Sequence, residues 1–285
     1  MMFSKHKNPW RLLAAASALL GVPAAAMADW GLNLTRGVTP YSETVYDLHM
    51  LILNVCIAIG LVVFGLIFYS IFAFRKSNGA KPAQWHESTK VEVIWTLVPF
   101  LILIGMAVPA THALIMMENT GGSDMTIKVT GYQWKWHYQY VDEGINYFST
   151  LANDSNLARQ LKSGVDPATV PNYLLEVDNH LVVPVGKKIR FLTTAGDVIH
   201  AWWVPALGWK RDAIPGYINE SWAEIKEPGT YRGQCAELCG KDHGFMPIVV
   251  DALSEQDYAA WVAKMKAATQ HADASTTPVA AVAEK

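Results

Sequence analysis

Residues 233–250, GQCAELCGKDHGFMPIVV, carry four side chains that could bind a soft metal or exchange thiols. The spacing C-x3-C-x3-H-x2-M places Cys235, Cys239, His243 and Met246 in one short segment. A disulfide would be ordinary in an oxidising compartment, but it would explain neither His243 nor Met246. Zinc takes thiolates and imidazoles rather than thioethers. Thiolate and thioether together are soft ligands, and they favour copper.

A copper site of this kind needs a second histidine from elsewhere in the chain. In blue copper sites two histidines accompany a cysteine and a weak axial Met. The best candidate is His200, in GDVIHAWWVP, at the end of a β-like run. His180 and His137 are rivals, although each also fits an ordinary surface histidine in a strand pattern.

The ligand count exceeds what one copper needs. Two thiolates, two imidazoles and a thioether suit two coppers bridged by both sulfurs, with Met246 as one weak axial ligand. A backbone carbonyl between the cysteines, such as that of Glu237, would be the other. One electron shared by two coppers changes each bond little, and no coordination position stays open. The pattern therefore favours electron transfer over catalysis at the metal.

The composition limits the class of protein. The 285 residues include only three cysteines and have a formal net charge of −2. So few cysteines exclude a disulfide scaffold, and the near-neutral charge gives no indication of nucleic-acid binding. Because 51% of the residues are hydrophobic, a soluble globule is not the default expectation.

The first 28 residues have the features of a signal peptide. A basic beginning precedes a short apolar run that Pro23 interrupts, and residues 26–28 form an A-x-A site. We expect cleavage before Asp29. A third membrane helix is the alternative, but the apolar run is short and contains a proline.

Two apolar stretches follow, at about residues 48–74 and 91–115 within a segment spanning 29–118. Each is long enough to cross a bilayer. The loop between them carries one acid, Glu87, against four basic residues: Arg75, Lys76, Lys81 and Lys90. By the positive-inside rule this loop is cytoplasmic. We therefore expect a multi-pass protein of a bacterial inner membrane, with its C-terminal domain in the periplasm.

Residues 119–266 have the pattern of a β-domain. TIKVTGYQWKWHYQY alternates with period two, which puts five aromatic side chains on one strand face: Tyr132, Trp134, Trp136, Tyr138 and Tyr140. Further short β-like runs, including NYLLEVDNHLVVPVG, are separated by Pro/Gly turn signals. These features predict a β-sandwich, a last helix at about Ser254–Ala268 and a flexible tail over residues 267–285.

From about Tyr46 to Ala260 the chain resembles subunit II of the haem–copper cytochrome c oxidases. The resemblance lies in the membrane hairpin and in six motifs: VEVIWTLVPFLILI, GYQWKWHYQY, LLEVDNHLVVPV, GDVIHAWWVPALG, RDAIPGYIN and GQCAELCGKDHGFMPIVV. It implies a membrane α-hairpin of two transmembrane helices joined to an all-β cupredoxin-like Greek-key sandwich. It also implies a binuclear copper centre, CuA, with six ligands: His200, Cys235, the Glu237 carbonyl, Cys239, His243 and Met246.

The resemblance implies the electron-accepting subunit of a proton-pumping terminal oxidase. Electrons from cytochrome c would reach CuA and then haem in subunit I, where oxygen is reduced to water; subunit III is a further expected partner. Trp134 would accept the electron, and Asp178 and Asp197 would attract cytochrome c. The Glu237 carboxylate would reach a magnesium ion shared with subunit I, which suits a hard oxygen ligand.

Some positions depart from the usual pattern of this family. QWYWSYEY is replaced by QWKWHYQY, in which Lys135, His137 and Gln139 differ, and the change to Gln139 removes an acid. Tyr217 stands in IPGYIN where an Arg is common. We therefore expect docking of the electron donor that is still electrostatic but weaker, or directed at a different donor.

Glu92 lies near the cytoplasmic start of the second span. Thr89 to Glu92 matches a capping box, which gives the acid a local role. The resemblance places a proton-uptake glutamate of the K pathway here, and an acid at a membrane boundary is suited to that task. A single residue could serve both roles.

Three other functions fit the sequence less well. A copper-delivery or thiol–disulfide protein could use Cys235 and Cys239 transiently, but it would not need Met246, His200 and Glu92 together. The quinol-oxidase form of the same scaffold lacks these copper ligands. Nitrous oxide reductase shares the copper motif but not the short membrane hairpin.

Overall fold

A computed structural model describes residues 33–84 and 86–275. From Thr35 on, the described chain forms one compact unit. The predicted signal peptide, residues 1–28, and the end of the predicted tail, residues 276–285, lie outside the described residues.

Two long apolar helices open the described chain: α1 (Pro40–Ala73) and α2 (Thr89–Glu118). Both are long and apolar enough to span a membrane, which agrees with the two predicted spans. α1 begins earlier than the apolar pattern predicts because Thr39 and Ser42 form a capping box. The Thr39 hydroxyl accepts from the Ser42 amide (2.9 Å), and the Ser42 hydroxyl accepts from the Thr39 amide (3.0 Å).

The capping box predicted at the start of the second span is absent. α2 begins at Thr89, so Ser88 occupies the cap position, and Ser88 makes no side-chain cap hydrogen bond. Glu92 then lies one position too far along for a capping box and donates its amide to the Ser88 carbonyl (3.0 Å). Its carboxylate has no capping role here, so the prediction that Glu92 belongs to a capping box was wrong.

Ten strands form a sandwich of two five-stranded sheets, as predicted. One sheet has the order β3-β2-β1-β5-β8 and the other β4-β10-β9-β6-β7. The strands are β1 (Met125–Tyr132), β2 (Lys135–Tyr140), β3 (Ile145–Ser149), β4 (Leu181–Pro184), β5 (Lys188–Ala195), β6 (His200–Trp203), β7 (Lys210–Ala213), β8 (Asn219–Glu224), β9 (Gly229–Cys235) and β10 (Pro247–Leu253). β1 pairs parallel with β5, and β4 with β10, while the other neighbours are antiparallel. This mixture arises because strands distant in sequence become neighbours, as in Greek-key connections.

Large aromatic side chains fill the space between the sheets. Phe191, Trp202 and Trp209 form a cluster of three rings, with the Trp202 centroid 5.4 Å from that of Phe191 and 5.1 Å from that of Trp209. Trp136 and Tyr138 are also fully buried. Such rings bury large apolar areas and interlock in offset or tilted geometry. These aromatic rings form the packed core against which the strands that flank the cysteine loop lie.

The aromatic strand predicted through TIKVTGYQWKWHYQY is a hairpin of two strands. β1 ends at Tyr132 and β2 begins at Lys135, and these two residues pair with each other. The turn is Gln133–Trp134, so Trp134 is partly exposed while Trp136 is buried. Because the turn has two residues, aromatic and polar residues continue to alternate in the sequence through it. The period-two pattern therefore does not reveal that the chain reverses direction here.

Two other boundaries also differ from the predictions. Only Leu181–Pro184 of NYLLEVDNHLVVPVG is a strand, and the residues before it belong to turns after a short helix, α3 (Asn153–Ala158). The last helix, α4, runs from Glu255 to Ser275 and therefore extends beyond the predicted end at Ala268.

The membrane helices are joined to the sandwich by specific polar contacts. The Thr39 hydroxyl donates to the Leu207 carbonyl (3.0 Å), and the Trp222 indole N–H donates to the Met116 carbonyl (3.2 Å). Among the ion pairs, Lys226 lies 2.7 Å from Glu43 and Arg211 lies 3.1 Å from Glu118. The sandwich is thus fixed to one end of each helix.

Candidate metal centre

The cysteine motif forms the connection between β9 and β10. β9 ends at Cys235, and β10 begins at Pro247. The two strands are antiparallel neighbours, with Pro247 opposite Gln234. Both ends of the loop are therefore held by one sheet, and this pairing places Met246 beside the cysteines.

β6 brings the distant histidine to the same place. It begins at His200 and pairs with β9 through Trp202 opposite Cys235. The Ala236 amide donates to the Ala201 carbonyl (3.0 Å). A residue 35 positions earlier in the chain thereby stands beside the first thiol.

The two thiols are free and close together. Cys235 Sγ lies 3.9 Å from Cys239 Sγ. The ligand atoms of His200, Cys235 and Cys239 lie within 4.8 Å of one another, and all three residues are buried. Buried groups of this kind, facing each other without a bond, suit a metal ion between them.

Further ligand atoms surround each thiol. His200 Nδ1 is 3.9 Å and the Glu237 carbonyl oxygen 3.4 Å from the Cys235 sulfur. His243 Nδ1 is 3.5 Å and Met246 Sδ 3.6 Å from the Cys239 sulfur. Each side therefore has one imidazole and one weak ligand, with two thiols available to be shared. This donor set fits two soft ions better than it fits one.

Asp197 positions the His200 ring. Its Oδ1 lies 3.0 Å from His200 Nε2, while the other carboxylate oxygen accepts from the Gln133 amide (2.7 Å). With Nε2 donating to the carboxylate, the lone pair of Nδ1 faces Cys235. A carboxylate that orients a histidine in this way is common around metal sites.

Strands β1 and β2 also pack closely against the centre. A Cβ at Gly131 would lie 2.8 Å from Cδ2 of His200, which is too close for a side chain at this position. The Trp136 ring meets His200 edge to face at 5.9 Å, and its N–H donates to the Met246 carbonyl (3.3 Å). Contacts from β1 and β2 thus hold His200 on β6 and Met246 at the end of the loop.

The pKa values of the two thiols are shifted in opposite directions. Burial raises the pKa of Cys235, but hydrogen bonding to His200 and to nearby backbone groups outweighs it and holds the pKa below the ordinary value. The pKa of Cys239 is raised, first by burial and then by the negative charge of Cys235. Burial lowers the pKa of His200, yet its bonds to Cys235 and Asp197 raise it overall. A bound cation would favour the loss of these protons.

Trp134 contacts the loop from outside. Its indole N–H donates to the Cys239 carbonyl (3.2 Å), as does the Gln133 side-chain amide (2.8 Å). Gly240, next to Cys239, leaves the space that the Trp134 ring needs, because a Cβ there would lie 3.1 Å from the ring. A partly exposed indole thus touches the backbone of a candidate ligand.

The other predicted site residues lie in separate places. Both oxygens of Asp178 accept from Thr150, at 2.7 and 2.8 Å. Glu92 lines a groove of about 400 Å³ near the start of α2. The Glu237 side chain is exposed, although its carbonyl faces Cys235.

The rival histidines are outside the centre. His180 is bonded to Asp251 (2.7 Å) and Glu176 (2.8 Å), and the His137 ring packs on Phe148 at 4.7 Å. The choice of His200 therefore agrees with the geometry. The positioning contact of Asp197 was missed, although its place three residues before His200 in GDVIH was a signal.

Family models match most of the chain. The model described as cytochrome C oxidase subunit II, transmembrane domain, matches residues 27–112. The model described as cytochrome C oxidase subunit II, periplasmic domain, matches residues 125–253. The second match contains every candidate metal ligand.

Similar proteins were found among curated sequences and solved structures. A probable cytochrome c oxidase subunit 2 of Rickettsia felis is 39% identical over 259 residues, covering 89% of this chain and 79% of the relative. Cytochrome c oxidase subunit 2 of Cereibacter sphaeroides is 34% identical over 247 residues, covering 84% and 82%. The crystal structure of the periplasmic domain of subunit II of cytochrome oxidase from Bradyrhizobium japonicum is 44% identical, covers 52% of this chain and 96% of that one, and has a TM-score of 0.44.

Proposed function

The chain belongs to the cytochrome c oxidase subunit II family, and from this premise we propose that its β9–β10 loop and His200 hold a binuclear copper centre, CuA. The membrane hairpin and cupredoxin-like sandwich are those of the electron-accepting subunit of a terminal oxidase. The observation that carries the copper proposal is the convergence of two free thiols with two imidazoles and a thioether.

The proposed ligands divide into two similar sets. The copper pair would be held by Cys235 and Cys239 together, by the imidazoles of His200 and His243, and by the two weakest donors, Met246 and the Glu237 carbonyl. When bound, the copper pair would supply one-electron redox chemistry. The burial of His200 and Met246 excludes water, and the surrounding strands hold the ligands so that they need not move.

Trp134 is the proposed point at which electrons from cytochrome c reach the chain. Its ring is partly exposed, and its N–H donates to the Cys239 carbonyl. One side chain therefore connects the protein surface with Cys239, a proposed copper ligand. The proposed acceptor is haem in subunit I, where oxygen is reduced.

Glu237 is proposed to serve two metals. Its carbonyl lies beside Cys235, while its side chain is exposed. The carboxylate is therefore free to reach a magnesium ion at a contact with subunit I, and magnesium prefers such oxygen ligands. Subunit III is a further proposed partner within the oxidase.

Glu92 is the proposed proton-uptake residue of the K pathway. It lines the groove at the start of α2, next to the loop that carries the basic residues. This loop supports a cytoplasmic location, and the β-domain would then be periplasmic in a bacterial inner membrane. The docking role of Asp178 and Asp197 stays a prediction, since both carboxylates also accept internal hydrogen bonds.

Electron uptake through Trp134 can be tested in the intact oxidase. We expect Trp134→Phe to slow the oxidation of reduced cytochrome c at least about ten-fold, because the link to the Cys239 carbonyl is lost. Stopped-flow absorbance measures the rate, and the copper EPR spectrum should be unchanged.

The matched control is Trp203→Phe. Trp203 is also a partly exposed tryptophan of the sandwich (39%), but it lies three residues beyond His200 along β6. Equal rates in wild type and Trp134→Phe would remove Trp134 from the electron path.

A further inference from the structure

Arg159 reaches from the end of α3 to the second half of the β9–β10 loop. Its Nη1 lies 3.3 Å from Oδ1 of Asp242, and its guanidinium carbon lies 4.2 Å from the ring centroid of Phe245. Asp242 directly precedes His243, and Phe245 directly precedes Met246. Each proposed copper ligand in this half of the loop therefore follows a residue that Arg159 contacts.

Arg159 is itself held in place by α3. Its amide donates to the Ser155 carbonyl (3.1 Å), and its Nε donates to the side-chain oxygen of Asn156 (2.8 Å). Ser155 is fully buried, and its hydroxyl accepts from the Leu174 amide (3.1 Å). The guanidinium is thus a fixed point against which the loop is held.

The two proposed imidazole ligands are supported in different ways. His200 begins β6, and Asp197 orients its ring. His243 begins a single helical turn, and in the part of the chain that the structure describes no carboxylate bonds to its ring. The Asp242 side chain does not cap this turn and is paired with Arg159 instead. The support for His243 therefore comes through its neighbour in the chain.

We propose that Arg159 is a positioning residue of the copper centre, which holds His243 and Met246 in place through Asp242 and Phe245. The inference rests on the proposed copper site. The planar guanidinium pairs with the carboxylate and stacks on the aromatic ring at the same time, so one side chain restrains both positions. Only 22% of the Arg159 side chain and 23% of the Asp242 side chain is exposed, so water screens this ion pair less than it screens a surface pair.

Arg159→Ala in the intact oxidase tests this inference, because it removes both contacts to the loop. Ligands that are held less firmly bind copper less tightly. We therefore expect the chelator concentration that removes half of the centre's EPR signal to fall about ten-fold. The copper hyperfine splittings of the remaining signal should change as well. Arg159→Lys keeps the charge but not the planar group, so it should lie between wild type and Arg159→Ala in both measurements.

The sign of the effect separates position from charge. Removal of a positive side chain near the centre would by itself favour bound copper cations, so a purely electrostatic role predicts greater resistance to the chelator. Arg190→Ala is the matched control, since it removes an arginine that pairs with Glu220 in the other sheet. It should change neither copper retention nor the EPR spectrum.

Failure of the inference differs from failure of the proposed function. Unchanged or tighter copper retention in Arg159→Ala, with an unchanged EPR spectrum, would overturn the inference and leave the copper site intact. An equal fall in copper retention in Arg190→Ala would also overturn it, because the loss would then follow the removal of any ion pair. The spectrum of a single copper nucleus in the wild-type protein would overturn the proposed binuclear centre and the inference with it.

Discussion

At the scale of single residues, Asp197 links several parts of the centre. Its carboxylate binds the His200 ring, the Gln133 amide before Trp134 and the Val198 amide (2.6 Å). Burial raises its pKa, but these hydrogen bonds outweigh burial and lower it. Asp197 therefore remains ionised beside a ligand of the proposed copper pair.

Asp197→Asn should keep a hydrogen-bond acceptor for His200 while removing the negative charge. The oxidised centre carries more positive charge than the reduced one, so we expect a higher reduction potential. The shift would be about 59 mV for each tenfold loss of preference for the oxidised form. Copper affinity should fall about 10- to 100-fold, as for other residues that orient ligands.

An EPR-monitored redox titration measures this shift in the intact complex. Asp178→Asn is the control, since it removes the same charge from an exposed acid bonded to Thr150. Identical potentials in wild type and Asp197→Asn would show that Asp197 does not tune the centre.

The ligand set could be predicted from the sequence because its chemistry lies in residue types and short spacings. Cys235, Cys239, His243 and Met246 are neighbours in the chain. The contact of Asp197 could not be predicted with the same ease, because it depends on how residues 196–199 turn before β6. Its place three residues before His200 was the one feature of the sequence that pointed to this contact.

At the scale of elements, a charged network joins β9 and β10 at the end away from the β9–β10 loop. His180 lies between Asp251 on β10 and Glu176 (2.7 and 2.8 Å). Arg232 on β9 pairs with Glu176, and Thr230 donates to Asp251 (2.7 Å). The network holds the two strands that carry the loop.

The network should make stability depend on pH in a defined direction. The pKa of His180 is raised from 6.5, chiefly by its hydrogen bond to Asp251. Its contribution is therefore complete below pH 6.5 and is lost as the pH rises through the folded-state pKa. For Asp251 and Glu176, burial raises the pKa, but hydrogen bonds to His180 and Arg232, respectively, outweigh it and lower the pKa. Their contribution is present above their ordinary values of 3.8 and 4.5 and is lost in acid.

His180→Gln should therefore destabilise the chain most between pH 5 and 6, by about 1 kcal/mol, and least near pH 9. Thermal unfolding of the purified chain in detergent measures the difference in Tm at each pH. His137→Gln, a change on β2 where the ring packs on Phe148, is the control. A constant Tm difference from pH 5 to 9 would contradict the assigned charge network.

Element boundaries were less predictable than element types. The apolar runs revealed both membrane helices, but polar residues 40–47 extend α1 through a cap that hydropathy does not detect. The β1–β2 hairpin was missed because Gln133–Trp134 continues the alternating pattern through its turn. Pairing partners, not local side-chain order, decide where such a strand ends.

At the scale of the whole molecule, α2 extends from the proposed site of proton uptake to the domain proposed to take up electrons. Glu92 lies 26 residues before Glu118, a helical rise of about 40 Å, and Glu118 pairs with Arg211 of the sandwich. Proton uptake and electron uptake would thus occur at opposite ends of one helix, on opposite sides of the membrane.

Glu92→Gln should separate these tasks experimentally. We expect steady-state oxygen consumption to fall at least about ten-fold, since an amide cannot relay the proton, while the fast oxidation of cytochrome c on mixing stays the same. Glu87→Gln, which removes an acid from the preceding loop, serves as the control. Normal turnover in Glu92→Gln would exclude Glu92 from the proton path.

The overall architecture was predictable because a membrane hairpin and a β-domain differ strongly in composition. The way in which the two parts contact each other was not predictable, because it depends on single hydrogen bonds such as that from the Trp222 indole to the Met116 carbonyl. Those contacts hold the sandwich, and with it the β9–β10 loop, on the membrane helices.

EPR of the oxidised intact oxidase tests whether the proposed centre holds two coppers. We expect hyperfine structure from one unpaired electron shared by two copper nuclei, because the two thiols would be common to two similar sets of ligands. The hyperfine pattern of a single copper nucleus in the fully copper-loaded protein would contradict it.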